Sequence, residues 1–160
     1  MLTVRFKQLG LTPGDLVLDA GAGFGRHAFE IARLGGRIVA LDYADEEVRM
    51  TRATFGAMIE VKDIEADRYV GALRGDATKL PFADNTFGTV LALSTFEHVK
   101  RFWLGFAEVA RVLKPGGAFL VSCPFHFHVH AYPSDYWRFT PEALESLLQG
   151  AYSEAIVGWH

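Results

Sequence analysis

Near its N-terminus the chain reads Val17-Leu18-Asp19-Ala20-Gly21-Ala22-Gly23-Phe24-Gly25, a short apolar run that passes directly into a turn with three glycines. Such a run predicts a buried strand, and the helical periodicity of the following residues predicts a helix that begins at the turn. The glycines let the backbone bend sharply and let a ligand approach the main chain closely. The stretch therefore predicts a strand, a ligand-binding turn and a helix in succession.

The rest of the chain continues this alternation of apolar runs and helical segments. Predicted strands cover residues 16–20, 37–42, 69–74, 87–93 and 118–123, and residues 155–159 form one more strand-like run. Predicted helices cover residues 25–34, 45–59, 102–113 and 141–149, the last with Thr140 as its N-cap. No linker interrupts the pattern. We predict one domain over residues 1–160, of the α/β class, with a doubly wound, mostly parallel sheet and helices on both faces.

Composition narrows the classes of function. The 160 residues carry 16 Lys and Arg against 19 Asp and Glu, a net charge of −3. This balance is not typical of a protein that binds a phosphate backbone, so we expect no nucleic-acid partner. No apolar run reaches the roughly 18 residues of a membrane span, and the first residues lack a signal-peptide pattern. With Cys123 as its single cysteine, the chain is expected to be cytoplasmic.

Acidic side chains follow the second and third predicted strands, at the sheet edge where ligands of doubly wound sheets bind. Asp42 lies about 20 residues after Gly21, the position from which a carboxylate accepts both hydroxyls of a ribose. Asp76 follows the third strand and is placed to accept the exocyclic amine of adenine. These residues indicate an adenosine-containing ligand. The alternatives are a plain turn with an exposed acid at Asp42 and a turn-forming aspartate at Asp76.

The glycine pattern distinguishes between adenosine ligands. A dinucleotide fingerprint places its third glycine where this chain has Arg26. Asp19 precedes the first glycine by two residues, and its carboxylate favours a cationic group over a pyrophosphate. A sulfonium with an amino-acid tail therefore fits better than NAD.

With these residues the sequence resembles the class I S-adenosylmethionine-dependent methyltransferases, of the methyltransferase type 11 kind, over almost its whole length. The matching segments are residues 17–25, Asp42, Gly75-Asp76-Ala77, Leu80-Pro81-Phe82, Glu97-His98-Val99 and residues 108–117. The resemblance implies a Rossmann-like fold, S-adenosylmethionine as cofactor and S-adenosylhomocysteine as product. We expect the methyl acceptor to be a small molecule.

The resemblance also implies which residues contact the cofactor. They are Asp19, Gly21, Ala22, Gly23, Asp42, Tyr43, Asp76 and Ala77. Leu93 and Ser94 follow the fourth predicted strand, so we expect their backbone to line the place of methyl transfer, a surface loop being the alternative. Gly88 departs from the family pattern, which usually has an aspartate there.

The family builds a seven-stranded sheet, whereas this chain offers six strand-like runs. We therefore expect the last part of the sheet to be incomplete and the edge of the fifth strand to need a cover. Residues 155–159 or a second copy of the chain are the two candidates, and a homodimer through this edge is favoured.

His98 follows the fourth predicted strand and is the candidate general base if the acceptor must lose a proton. The alternative is a polar residue that holds the loop. His126, His128 and His130 alternate with apolar residues in segment 124–140, so an extended run would place them on one face, where a metal site is an alternative. Only Asp135 lies near them in sequence to orient the rings, so we predict no metal site.

Segment 124–140 is longer than a typical connection between a strand and a helix, which indicates a substrate-facing lid. Its candidate substrate contacts are Tyr136, Trp137 and Arg138. Packing over the end of the sheet is the alternative. Arg138 is expected either to receive an anionic acceptor or to pair with Asp135 or Glu142.

Three functions are compatible with these features. An S-adenosylmethionine-dependent methyltransferase of a small molecule is predicted first. The alternatives are a non-catalytic or truncated S-adenosylmethionine-binding protein and an NAD-dependent oxidoreductase, which Arg26 disfavours.

Overall fold

A computed structural model describes Phe6, residues 10–131 and residues 134–149. Its strands are β1 (Leu16–Ala20), β2 (Arg37–Asp42), β3 (Tyr69–Arg74), β4 (Phe87–Leu93) and β5 (Leu113–Ser122). Its helices are α1 (Arg26–Arg33), α2 (Asp45–Glu60), α3 (Phe102–Val112) and α4 (Pro141–Gln149), with short 3-10 helices at Ala66–Arg68 and Phe96–His98. No helix in this described part is long and apolar enough to cross a membrane.

The five strands form one parallel sheet in the order β3-β2-β1-β4-β5. Leu18 in β1 lies opposite Val39 of β2 on one side and Val90 of β4 on the other. The chain winds outward in both directions from β1 and β4, so the loops after these two strands border the crevice where such sheets bind ligands. The predicted doubly wound α/β fold is confirmed.

Neighbouring residues of each strand point to opposite faces of the sheet and join different cores. Val17 belongs to a core with Ile31 of α1 and Phe55 of α2, all fully buried. Leu18 belongs to the other core, with Val109 of α3. Helices therefore cover both faces, as the near-continuous apolar strands require.

The main difference from the predicted elements concerns the fifth strand. It starts at Leu113 rather than at residue 118, because residues 114–117 form an irregular step in its pairing with β4. Gly116 adopts a φ of +77° there, a left-handed conformation that suits glycine in a bulge. Cys123 lies just beyond the strand. The predicted run at residues 155–159 lies outside the described residues.

Candidate functional site

The glycine turn after β1 is fixed by backbone hydrogen bonds to the end of β2. The N–H groups of Gly21 and Ala22 both donate to the carbonyl of Leu41, at 2.8 and 3.0 Å. Gly21 has a φ of +83°, and a Cβ at this position would lie 2.4 Å from the side chain of Thr95. Only glycine fits between the turn and the loop after β4, so the two loops meet across the crevice.

Asp19 lies at the base of this turn and is 1% exposed. Neither of its carboxylate oxygens has a hydrogen-bond partner among the described residues. Burial, together with the negative charge of Asp42, raises the pKa of Asp19 from 3.8 to about 7. A buried carboxyl group without a partner is costly, and a cationic ligand would relieve that cost.

Asp42 lies at the end of β2 and holds the turns on either side of it. Its Oδ2 accepts a hydrogen bond from the N–H of Gly23 at 2.7 Å, and its Oδ1 accepts one from the N–H of Ala44 at 3.0 Å. A carboxylate accepts up to about four hydrogen bonds, so it retains capacity for ligand hydroxyls. Tyr43 is exposed, and the guanidinium of Arg74 lies 5.8 Å from its ring centre.

Asp76 follows β3 and forms a turn. Its Oδ1 accepts hydrogen bonds from the N–H and the hydroxyl of Thr78, at 2.8 and 2.7 Å. The turn-forming alternative for Asp76 is thus present, and Oδ2 carries no hydrogen bond to any described residue. Ala77, the next residue, is half-buried and packs against the core under α3.

Leu93 ends β4 as a buried residue, and Ser94 follows it on the surface with a φ of +54°. A non-glycine residue in this conformation is strained. The N–H of Ser94 donates to the carbonyl of Ser122 at 2.8 Å, which fixes the backbone after β4 to the end of β5. Strain of this kind is common where a backbone is shaped for a ligand.

His98 ends the 3-10 helix after β4, beside segment 124–140. Its Nδ1 donates to the carbonyl of Ser134 at 2.5 Å, so in the neutral ring the free lone pair is on Nε2. Nε2 lies 3.8 Å from Oε1 of Glu97, a residue with 0% exposure. Burial raises the pKa of Glu97 from 4.5 to about 7. The base role of His98 stays a prediction.

The described parts of segment 124–140, residues 124–131 and 134–140, contain no helix or strand, and the second part is attached to the loop after β4. The N–H groups of Tyr136 and Trp137 both donate to the carbonyl of Glu97, at 2.8 and 3.2 Å. The indole N–H of Trp137 donates to the carbonyls of Val99 and Lys100. Tyr136 exposes about half of its ring, whereas Trp137 anchors the segment.

Arg138 pairs with Asp135, one of the two structural partners expected for it. Two guanidinium nitrogens donate to the Asp135 carboxylate at 2.5 and 2.7 Å, and one donates to the carbonyl of His128 at 3.1 Å. This pairing holds the pKa of Asp135 well below its usual range. The guanidinium is engaged within the segment, and its contact with an acceptor stays a prediction.

Comparison with known proteins identifies the family. The sequence profile of a family described as "Methyltransferase domain" matches residues 18–121, which include most of β1, all of β2 to β4 and nearly all of β5. The chain belongs to this methyltransferase family. The predicted membership of a methyltransferase family is confirmed.

Two curated relatives match the same region of the chain. A sterol 24-C-methyltransferase of Eremothecium gossypii is 39% identical over 113 residues, which cover 70% of this chain and 29% of the relative. A demethylmenaquinone methyltransferase of Corynebacterium glutamicum is 34% identical over 116 residues, which cover 72% of this chain and 44% of the relative. The chain thus spans less than half the length of these relatives.

A solved structure shares the fold of this chain. Phosphoethanolamine N-methyltransferase 2 of Haemonchus contortus, in complex with S-adenosyl-L-methionine, superimposes with a TM-score of 0.75. The match covers 91% of this chain and 35% of the other, at 22% identity. It supports the Rossmann-like architecture.

The residues at this site have a chemistry that fits S-adenosylmethionine. Asp19 offers a buried, unpartnered carboxylate to a cofactor with cationic groups. A Cβ on Gly23 would meet nothing within 4 Å, so the turn borders open space. Asp42 retains acceptor capacity beside the turn. These residues lie at adjoining strand ends, as predicted.

Several functional positions were not predicted from the sequence. Thr95, which contacts the glycine turn, and Glu97, which carries an unpartnered buried carboxylate, lie in the loop after β4. Glu97 stands among other polar residues there, so the sequence carries no signal of its burial. Glu108 and Arg111 form a network that holds the connection between β3 and β4, and their spacing of three residues on one helix is the signal that could have indicated the pairing.

Proposed function

We propose that the chain transfers a methyl group from S-adenosylmethionine to a small-molecule acceptor at the carboxyl ends of β1, β4 and β5. The observation that carries this proposal is the carboxylate of Asp19, which is buried beside the glycine turn without a hydrogen-bond partner among the described residues. A cofactor with cationic groups supplies the partner that this carboxylate lacks. A pyrophosphate at the same place would be repelled.

Within this proposal each cofactor residue has a defined task. The turn at Gly21, Ala22 and Gly23 holds the methionine part, and Asp42 accepts the ribose hydroxyls. Adenine is assigned to Asp76 and Ala77, with Tyr43 beside the ribose. The backbone of Leu93 and Ser94 lines the place of transfer.

When bound, S-adenosylmethionine supplies a methyl group activated by a positively charged sulfonium. The contribution of the protein is mainly positional, because alignment of the reacting groups accounts for much of the acceleration of a displacement. Thr95 supports this alignment, since its hydroxyl donates to the carbonyl of Ala20 at 3.1 Å and its side chain contacts Gly21. The glycine turn after β1 and the loop after β4 are therefore held in a fixed position relative to each other.

The acceptor is assigned to the space under segment 124–140. Phe125, Phe127 and Tyr136 are each at least 42% exposed and offer apolar surface there. The names of the two curated relatives specify a sterol and demethylmenaquinone, which are small organic molecules with extensive apolar surface. We assign the acceptor contact to Tyr136, while Trp137 and Arg138 hold the segment in place.

A methyl-release assay tests the proposal. The chain is incubated with S-adenosylmethionine carrying a labelled methyl group and with a panel of sterols, quinols, phenols and amines. We expect label in one acceptor class and loss of this activity in Asp42→Ala, with Glu46→Gln, an exposed acid on α2, as the matched control. Binding of S-adenosylhomocysteine without transfer to any class would instead favour the non-catalytic alternative.

A further inference from the structure

Three side chains that could ligate a metal converge where β4 and β5 end. Glu97 and His98 belong to the 3-10 helix after β4, and His130 belongs to segment 124–140. One ligand atom from each of the three lies within 4.8 Å of the other two. Two imidazoles and one carboxylate, supplied by two different loops, therefore lie close together.

The carboxylate of Glu97 needs a cation at this place. Its residue is 0% exposed, and neither oxygen has a hydrogen-bond partner in the described part of the chain. The nearest ring nitrogen, Nε2 of His98, lies 3.8 Å from Oε1, which is too long for a hydrogen bond. Buried carboxylates are found hydrogen-bonded in ion pairs or bound to metals, and this one makes no hydrogen bond to any described residue.

Both histidine rings are oriented as metal-bound histidines are. His98 donates from Nδ1 to the carbonyl of Ser134, which leaves the Nε2 lone pair for a ligand. Nδ1 of His130 lies 3.2 Å from Oδ2 of Asp135 and 3.3 Å from the carbonyl of His128. Metal-ligating histidines usually direct their second nitrogen to a carboxylate or a carbonyl in this way.

Asp135 orients His130 and does not act as a further ligand. Both of its oxygens accept hydrogen bonds from the guanidinium of Arg138, and Oδ2 also accepts one from the backbone N–H of His130. The Arg138–Asp135 pair thus fixes the backbone and the ring of His130 together. This arrangement gives the pair a task that does not depend on contact with an acceptor.

We propose that Glu97, His98 and His130 form a binding site for a divalent transition-metal ion at the acceptor end of the crevice. The donor set favours zinc, iron, cobalt or manganese over magnesium and calcium, which prefer oxygen ligands. Three protein ligands leave at least one coordination position open. Bound zinc would bring its ligand atoms to roughly 3.4 Å from one another, so the cluster must contract by about an ångström.

This site differs from the metal site considered from the sequence, which grouped His126, His128 and His130. Only His130 of that group belongs to the cluster. The other two members, Glu97 and His98, come from the loop after β4. A metal ion at this site would compete with the predicted role of His98 as a general base. Ligation and proton removal both require Nε2, so a metal-loaded protein uses His98 as a ligand.

Metal retention by the full chain, prepared without a histidine tag, is the test. The protein is loaded with zinc, passed over a desalting column and analysed for metal, and zinc affinity is measured by calorimetry. We expect about one equivalent in the wild type and at least tenfold weaker binding in Glu97→Gln and His130→Ala. His126→Ala, in the same segment but outside the cluster, should bind zinc as the wild type does.

Two further measurements make every outcome informative. Loading with cobalt reports on the ligands through visible absorption, which should change in His130→Ala and stay unchanged in His126→Ala. Affinity for S-adenosylhomocysteine, measured on the same samples, shows that each variant is folded and tests the cofactor site separately. Failure of the wild type to retain zinc or cobalt, or equal binding by His130→Ala, would overturn the metal site and leave the proposed methyl transfer unaffected.

Discussion

We propose two functions for Asp42 at the end of β2. Its oxygens accept hydrogen bonds from the backbone N–H groups of Gly23 and Ala44. We assign its remaining capacity to accept hydrogen bonds to the hydroxyls of the ribose. The residue therefore links the shape of the glycine turn to recognition of the cofactor.

Replacing Asp42 should weaken cofactor binding strongly. Asp42→Ala removes a charged acceptor, which costs about 1.5–3 kcal/mol, or roughly a ten- to hundredfold loss of affinity for S-adenosylhomocysteine. Calorimetry on the variant, with Glu46→Gln as control, measures the change. Unchanged affinity in Asp42→Ala would show that the ribose is held elsewhere.

Asp19 makes the stability of the ligand-free protein depend on pH. Its pKa in the folded chain is about 7, against an ordinary value of 3.8. Between these values the unfolded chain releases the proton while the folded chain keeps it, so the free energy of unfolding falls as pH rises. Above pH 7 the full difference, about 4 kcal/mol as an upper bound, is lost.

Asp19→Asn isolates this effect because the amide is similar in size and does not titrate. We expect the variant and the wild type to have similar stability at pH 4, and the variant to be more stable by about 2–4 kcal/mol at pH 8. Urea unfolding at pH 4, 6 and 8 without cofactor gives the comparison. Parallel pH profiles would mean that Asp19 is ionised in the folded protein.

Helix α3 holds the connection between β3 and β4 through Arg111. This guanidinium donates to the Glu108 carboxylate, to Asp84 and to the carbonyls of Leu80 and Phe82, all within 3.0 Å. Oε2 of Glu108 also accepts the N–H of Leu80 at 2.7 Å. The network fixes the connection that follows Asp76.

Arg111→Met should therefore loosen this connection without creating a cavity in the hydrophobic core. We expect a loss of about 1.5–3 kcal/mol in the free energy of unfolding, since several charge-assisted hydrogen bonds disappear together. Arg101→Met, at an exposed position before α3, should change it by less than about 0.5 kcal/mol. Equal losses of stability in Arg111→Met and Arg101→Met would show that the network does not stabilise the fold.

Trp137 and Tyr136 are neighbours with different roles in segment 124–140. The Trp137 ring lies edge-on to Phe102 at 5.1 Å, and its indole N–H is hydrogen-bonded. We expect Trp137→Ala to lower stability by about 2–3 kcal/mol and to speed amide exchange at residues 134–139. Tyr136→Ala, which loses an exposed ring, should reduce turnover while stability stays nearly constant. If Tyr136→Ala lowered stability and Trp137→Ala reduced only turnover, Tyr136 would be the anchor and Trp137 the acceptor contact.

At the level of the whole molecule, β5 forms one edge of the described sheet, where β4 is its only neighbour. Parallel sheets are normally covered, and an open edge favours pairing with another chain. The predicted homodimer through this edge stays a prediction. Light scattering on a size-fractionated sample at tens of micromolar should give the mass of a dimer, and a monodisperse monomer would refute it.

The elements that lie in the sheet were predictable because strands and turns are encoded locally. The bounds of β1 to β4 agree with the apolar runs, and Asp19 and Asp42 lie at strand ends, as periodicity and spacing indicate. Thr140 also caps α4 as predicted, since its hydroxyl accepts the N–H of Ala143 at 3.1 Å. Each of these features depends on residues close together in the chain.

Contacts between loops were not predictable in the same way. Glu97 and His98 meet His130, which comes from a different loop. Spacing shows which strand end a residue follows, but it does not show which side chains face one another across the crevice. The early start of β5 was missed for a related reason, because Pro115 and Gly116 are typical of a turn and are accommodated in a bulge by pairing with β4.

The central claim, that Asp19 and the glycine turn bind a cationic adenosine cofactor, is tested most directly by calorimetry at pH 8. The full chain is titrated with S-adenosylmethionine, S-adenosylhomocysteine and NAD, in the wild type and in Asp19→Asn. We predict that the two sulfur compounds bind at one site, that NAD does not bind, and that Asp19→Asn binds both sulfur compounds at least tenfold more weakly. Binding of NAD in preference to S-adenosylmethionine, or no binding of either sulfur compound, would contradict the claim.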